Sequence, residues 1–182
     1  MSSKRESELE IFKLLYNNRT DISFEHKDLP DFWVESPFGV KFGLEVTELF
    51  DNESEARLNK IPSYMDDLFQ GGDFKHKDDK HNLNVTEISI LSPDNKHIAT
   101  VPAIKYDNIV PEAFIGLLTD RIREKSRLLS NYTTTLSFHS LVIRDHSHFL
   151  LNVERKEMYW MIYKPQLIEI LKESVFTEIY LV

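Results

Sequence analysis

Pro30-Asp31-Phe32-Trp33-Val34-Glu35-Ser36-Pro37-Phe38-Gly39-Val40-Lys41-Phe42-Gly43-Leu44-Glu45-Val46-Thr47-Glu48 is the stretch that decides how this chain is read. Two largely apolar runs flank Ser36-Pro37-Phe38-Gly39. Pro37-Phe38 suits the centre of a type I turn, and Gly39 can take the left-handed conformation that follows, so a three-residue hairpin loop with a glycine bulge is expected. That loop fixes a register in which Ser36 opposes Val40, Glu35 Lys41, Val34 Phe42, Trp33 Gly43, Phe32 Leu44 and Asp31 Glu45. The apolar pairs then share one face of the ribbon and both carboxylates the other; a two-residue loop would separate Asp31 from Glu45. Directly opposed side chains have Cβ atoms about 4.5–5.5 Å apart. Two carboxylates at that spacing repel unless a positive charge lies between them, and an oxygen-ligated divalent cation such as Mg²⁺ is a usual solution. The alternative is a pair of exposed acids at a strand edge.

Working outward, residues 7–17 read as a helix, with Ser7 and Glu10 in capping-box spacing and Ser3 with Glu6 as an alternative start. Its apolar residues Leu9, Ile11, Phe12, Leu14, Leu15 and Tyr16 form a broad arc centred near Glu8, with Glu10, Lys13 and Asn17 opposite. An acid at the middle of a buried face needs a partner; otherwise Glu8 reaches water near the helix start. Pro111 opens a long helix reaching about Tyr132. Phe114, Leu118, Ile122, Leu128, Leu129 and Tyr132 share one face, with Lys125 near its centre and Arg121 beside it, while Arg123 and Arg127 point away. Lys125 either snorkels to water or places an ammonium inside a site for carboxylates and phosphate.

Elsewhere, Ile22 and Phe24 mark a short strand. Residues 83–91 and 97–104 read as a hairpin around Ser92-Pro93-Asp94-Asn95. Residues 136–143 form a strand, 164–174 a helix and 175–182 a last strand. Residues 52–82 are polar enough to read as a loop, and 145–163 are left unassigned. The expected fold is a mixed α/β core of order α-β-β-β-α-β-α-β, in a single domain of residues 1–182 carrying an insertion at 52–110.

Composition sets the boundaries. The chain has 182 residues, 41% apolar and 29% charged, enough for a full core. No run approaches a membrane span, and Met-Ser-Ser-Lys-Arg-Glu is no apolar leader, so a cytoplasmic protein without membrane partners is expected. The absence of Cys excludes disulfides, thiolate zinc sites and cysteine nucleophiles. Net charge is −8, the wrong sign for coating nucleic acid by charge alone. The excess is uneven: residues 1–60 hold 8 basic and 13 acidic side chains, whereas residues 111–182 hold 9 of each. The seven His, including His76, His81, His146 and His148, lack a third ligand at zinc spacing and read as turn or solvent residues. No nucleophile elbow or Gly-rich phosphate loop is present. Residues 159–163, Tyr-Trp-Met-Ile-Tyr, read as core or an oligomer interface before a base-stacking platform. Asp145 is either a turn residue or an acid supporting the site.

Pro30-Asp31, the hairpin, and Gly43-Leu44-Glu45-Val46-Thr47-Glu48 resemble the D…ExK core of the PD-(D/E)XK nuclease superfamily, and the element order over residues 6–50 and 111–145 is similar to its core. The resemblance implies a restriction-endonuclease-like fold and a Mg²⁺- or Mn²⁺-dependent DNA endonuclease of the kind found in restriction or anti-phage systems, with RNA an alternative substrate. By position, Asp31 and Glu45 would be the acidic metal ligands and the Val46 carbonyl a third. Thr47 stands where the motif has Lys. Some members carry that Lys on the following helix, which points to Lys125, and some draw an acid from the first helix, which points to Glu8. Arg121 and Thr47 would then face the substrate. A homodimer or an accessory protein subunit would compensate for the acidic charge. If neither replacement operates, the chain is an inactive nuclease-fold subunit or regulator that binds a protein or nucleic acid.

Overall fold

The computed structural model describes residues 4–16, 19–106, 109–130, 136–147 and 149–182, and the side chains of 151, 152, 155, 156 and 159 are not among those described. The chain divides into two compact units, Met1–Leu49 with Ile109–Val182, and Phe50–Asn108.

The first unit is a mixed five-stranded sheet flanked by helices. Helix α1 (Lys4–Tyr16) precedes a meander of β1 (Ser23–His26), β2 (Phe32–Glu35) and β3 (Lys41–Leu49). After the second unit come α5 (Pro111–Leu129), β6 (His139–Asp145), α6 (Phe149–Asn152), α7 (Arg155–Ile162), α8 (Pro165–Glu173) and β7 (Glu178–Leu181). The spatial order is β1-β2-β3-β6-β7. The meander pairs are antiparallel, while β3, β6 and β7 run parallel.

Turn chemistry sets the hairpin. Ser36 and Val40 pair through Ser36 N–H to the Val40 carbonyl at 2.9 Å, and Gly39 has φ +76°. The ladder then runs Glu35–Lys41, Val34–Phe42, Trp33–Gly43, Phe32–Leu44, which is the register read from the turn.

One face of the sheet, Phe32, Val34, Phe42, Leu44, Val46 and Val142, buries Ile11 and Phe12 of α1. The other face, Leu49, Leu141 and Ile143, packs against Phe114, Ile115, Leu118 and Ile122 of α5 and Leu167 and Ile170 of α8. At ~25 cal/mol per Å² of apolar area, these two layers are the main source of the unit's stability.

Several expectations are corrected. Helix α1 begins at Lys4, so Ser7 lies inside it and donates to Glu48 (3.3 Å) instead of capping; Ser3 lies outside the described residues. Leu14 and Leu128 are exposed at 57% and 38%, because each sits roughly 110–120° around its helix from the buried centre at about 100° per residue. Tyr132 and His148 fall outside the described residues. Residues 145–163 complete β6 and form α6 and α7, the latter opened by a capping box of Glu154 and Glu157. In the Trp160–Tyr163 run, Met161 is core at 6% exposure, while Trp160 and Tyr163 are exposed at 72% and 69%.

In the second unit, the segment read as a loop is largely helical: α2 (Glu53–Lys60), α3 (Tyr64–Phe69) and α4 (Asp79–Asn82), followed by the ribbon β4 (Asn84–Leu91) and β5 (His97–Lys105). Asn52 caps α2, its side chain accepting from Ser54 N–H and Glu55 N–H at 3.0 Å each. A small core of Leu58, Tyr64, Leu68 and Leu83 lies beneath. Buried Asp79 ties it together, accepting from Arg57 (2.6 Å), the Tyr64 hydroxyl (2.6 Å) and His76 N–H (3.1 Å). These helices escape a periodicity reading because they are short and held by tertiary contacts, which outweigh propensity in helices of this length.

Candidate functional site

The site lies where β2 and β3 part. The β2–β3 ladder starts at Phe32–Leu44, whereas β3 continues to Leu49, paired on its other edge with β6. Beyond Leu44, the edge of β3 facing β2 is open to side chains, and Asp31 takes that place. Its Oδ2 accepts from Val46 N–H at 2.8 Å. A strand residue directs its N–H and C=O to the same edge, so the Val46 carbonyl faces the same notch. Extending the ladder by one pair sets Asp31 opposite Glu45. Asp31 and Glu45 are 4% and 7% exposed.

Glycine makes room beside them. A Cβ on Gly43 would come within 2.5 Å of His139 Cδ2 and 2.6 Å of Pro30 Cγ, so only a bare backbone lets Pro30 and His139 close over β3 there. Burial pushes the His139 imidazole below its ordinary range, against the pull of Glu45. A largely neutral imidazole therefore walls the acids.

Positive charge arrives from α5. Lys125 lies on the stripe of Phe114, Leu118, Ile122 and Leu129, and its Nζ donates to Glu45 Oε1 at 2.7 Å. Arg121, about 90° around the helix from the buried centre, instead bridges Glu124 at 2.9 Å; the structure does not bring it to the acids. Thr47 is buried on the Glu45 face, two residues along β3.

Glu8 is buried at 7% exposure although it lies in the second turn of α1. One carboxylate oxygen meets His26 Nε2 at 2.8 Å and the other meets Lys4 Nζ at 3.2 Å. Sequence reasoning passed over both partners. The signals were available: Lys4 is i−4 to Glu8, and period-two alternation from Phe24 puts His26 on the face that packs against α1.

Burial raises the Asp31 carboxyl to about 7, reinforced by the charges of Glu45 and Glu8 and opposed by the Val46 N–H and Lys125. Burial and the neighbouring acids thus favour a proton, or another positive charge, on Asp31. Among the described residues, no three His, Asp or Glu side chains stand together as a ready metal-ligand group. Asp31, Glu45 and the Val46 carbonyl are oxygen donors of the kind that could hold a hard divalent cation that retains waters, and not a zinc-type set. No family model, curated protein or solved structure matches the chain.

Proposed function

We propose that the chain is a Mg²⁺- or Mn²⁺-dependent phosphodiesterase that cleaves DNA, a PD-(D/E)XK-type endonuclease whose motif lysine has moved from β3 to α5. The observation that carries this reading is the 2.7 Å contact of Lys125 with Glu45 beside buried Asp31. Two acids on a parting strand pair and one ammonium from the next helix are the residue types that phosphodiester hydrolysis needs. The strand order and the helices on both faces of the sheet agree with a restriction-endonuclease-like core.

In this reading Asp31, Glu45 and the Val46 carbonyl would hold the cation, which would supply an acidified water and neutralise phosphate charge. Lys125 donates to the phosphate oxygen on which charge builds, a role the Thr47 hydroxyl cannot fill. Glu8 adds negative charge beside the ligands, and Pro30 and His139 exclude bulk water from the Glu45 side. The test is cleavage of plasmid and oligonucleotide DNA with Mg²⁺, Mn²⁺ or EDTA, beside Asp31→Ala. Metal-dependent cutting lost in that variant is expected, and cutting that survives it would refute the assignment.

Thr47, together with the ion pairs of Lys4 with Glu8 and of Lys125 with Glu45, favours a second reading: an inactive nuclease-fold subunit. Absence of cleavage on DNA and RNA, with the fold intact, would select it.

A further inference from the structure

Glu8 has two partners of different character. Lys4 is on the same helix, and its side chain is 86% exposed, so the ammonium end of this i,i+4 pair exchanges readily with water. His26 belongs to β1, paired with Phe32 of β2 next to Asp31. Its ring stands edge-on to the Phe32 ring, 4.8 Å between centroids at 85°. A carboxylate only accepts hydrogen bonds, so His26 Nε2 carries the proton in the 2.8 Å contact. The other nitrogen, Nδ1, is buried with no hydrogen-bond partner among the described residues. The ring therefore forgoes a hydrogen bond at Nδ1 while Nε2 stays on Glu8, a cost that a purely packing histidine has no reason to bear.

We propose that His26 is a positioning residue for the cation site: its Nε2–H ties the α1 carboxylate of Glu8 to the sheet, holding that negative charge over Asp31 and Glu45. This rests on the metal-dependent reading above. Without His26, Glu8 keeps, among the described residues, exposed Lys4 and can turn to solvent, and the site loses negative charge that favours a divalent ion. Groups that orient a metal site from behind its ligands typically change metal affinity by ~10–100-fold.

Two variants separate this role from packing. His26→Phe keeps an aromatic ring on Phe32 and removes the donor; His26→Gln restores a side-chain N–H. Mn²⁺ binding is read by titration calorimetry, and cleavage is followed against Mn²⁺ concentration. Mn²⁺ affinity about tenfold or more weaker in His26→Phe is expected. Half-maximal cleavage should move to correspondingly higher Mn²⁺, with the rate at saturating metal within about threefold of wild type and most of the loss regained in His26→Gln. Wild-type Mn²⁺ affinity in His26→Phe would overturn the inference, as would a loss that Gln does not regain and that tracks only with lowered melting temperature. Asp31→Ala distinguishes the two levels. If it abolishes Mn²⁺ binding while His26→Phe binds Mn²⁺ with wild-type affinity, the positioning role alone falls. If wild-type protein binds no Mn²⁺, both fall together.

Discussion

Asp31 shows how much of the site's behaviour is electrostatic. Its folded proton affinity lies well above the ordinary value of 3.8, at about 7, so between these values the native state binds more protons than the unfolded chain and stability falls as pH rises. Thermal melts in EDTA should show melting temperature declining from about pH 4 to pH 7, and Asp31→Asn should flatten that slope. Mn²⁺ added at pH 8 should raise the melting temperature more than at pH 5, because at low pH the cation competes with a proton. Lys125→Met keeps most of the stem volume but leaves Glu45 without its ammonium. A loss of about 1–3 kcal/mol is expected by chemical denaturation, below the range for a fully buried pair because Lys125 is 17% exposed. Cleavage should fall ~10²-fold or more. Lys125→Arg should rescue poorly, since the planar guanidinium differs in shape and donor geometry.

At the scale of elements, the β2–β3 hairpin depends on two glycines for different reasons. Gly39 supplies φ +76°, and Gly39→Val should cost about 1–2 kcal/mol by chemical denaturation through left-handed strain alone. Gly43→Ala places a methyl against Pro30 and His139 and should disturb Asp31 through its neighbour Pro30, lowering Mn²⁺ affinity as well as stability. The hairpin was legible because Pro37 and Gly39 determine register locally, and Lys125 because one charged residue among apolar ones breaks a helical stripe. Helices α2 to α4 were not legible. Their apolar positions are sparse, and their principal anchor is the ion pair of Asp79 with Arg57, which in sequence looks like solvent-facing charge. Although burial pulls the Asp79 carboxyl upward, hydrogen bonds from Arg57, Tyr64 and Ser54 hold it at about 2, so its contribution is present above about 3.8 and is lost as pH falls toward 2. Asp79→Ala strands the Arg57 and Tyr64 donors and should cost about 1–3 kcal/mol, seen as earlier acid unfolding. For His26, alternation from Phe24 marks the face but not the partner, because the contact with Glu8 forms only when α1 docks on the sheet.

For the whole molecule, a net charge of −8 opposes unaided DNA binding. Anisotropy titrations of a labelled duplex should show weak binding in EDTA and at least tenfold tighter binding with a divalent cation; a tight complex indifferent to EDTA would contradict the proposed function. Connectivity adds a constraint of another kind. Glu45 and Lys125 meet across 80 residues of sequence, with Phe50–Asn108 of the second unit between them. A ribosome adding ~5–20 residues per second synthesises Glu45 roughly 4–16 s before Lys125. During that interval the nascent chain holds both acids but not the ammonium, so translation itself would withhold the proposed cutting chemistry until the intervening unit and Lys125 have been made.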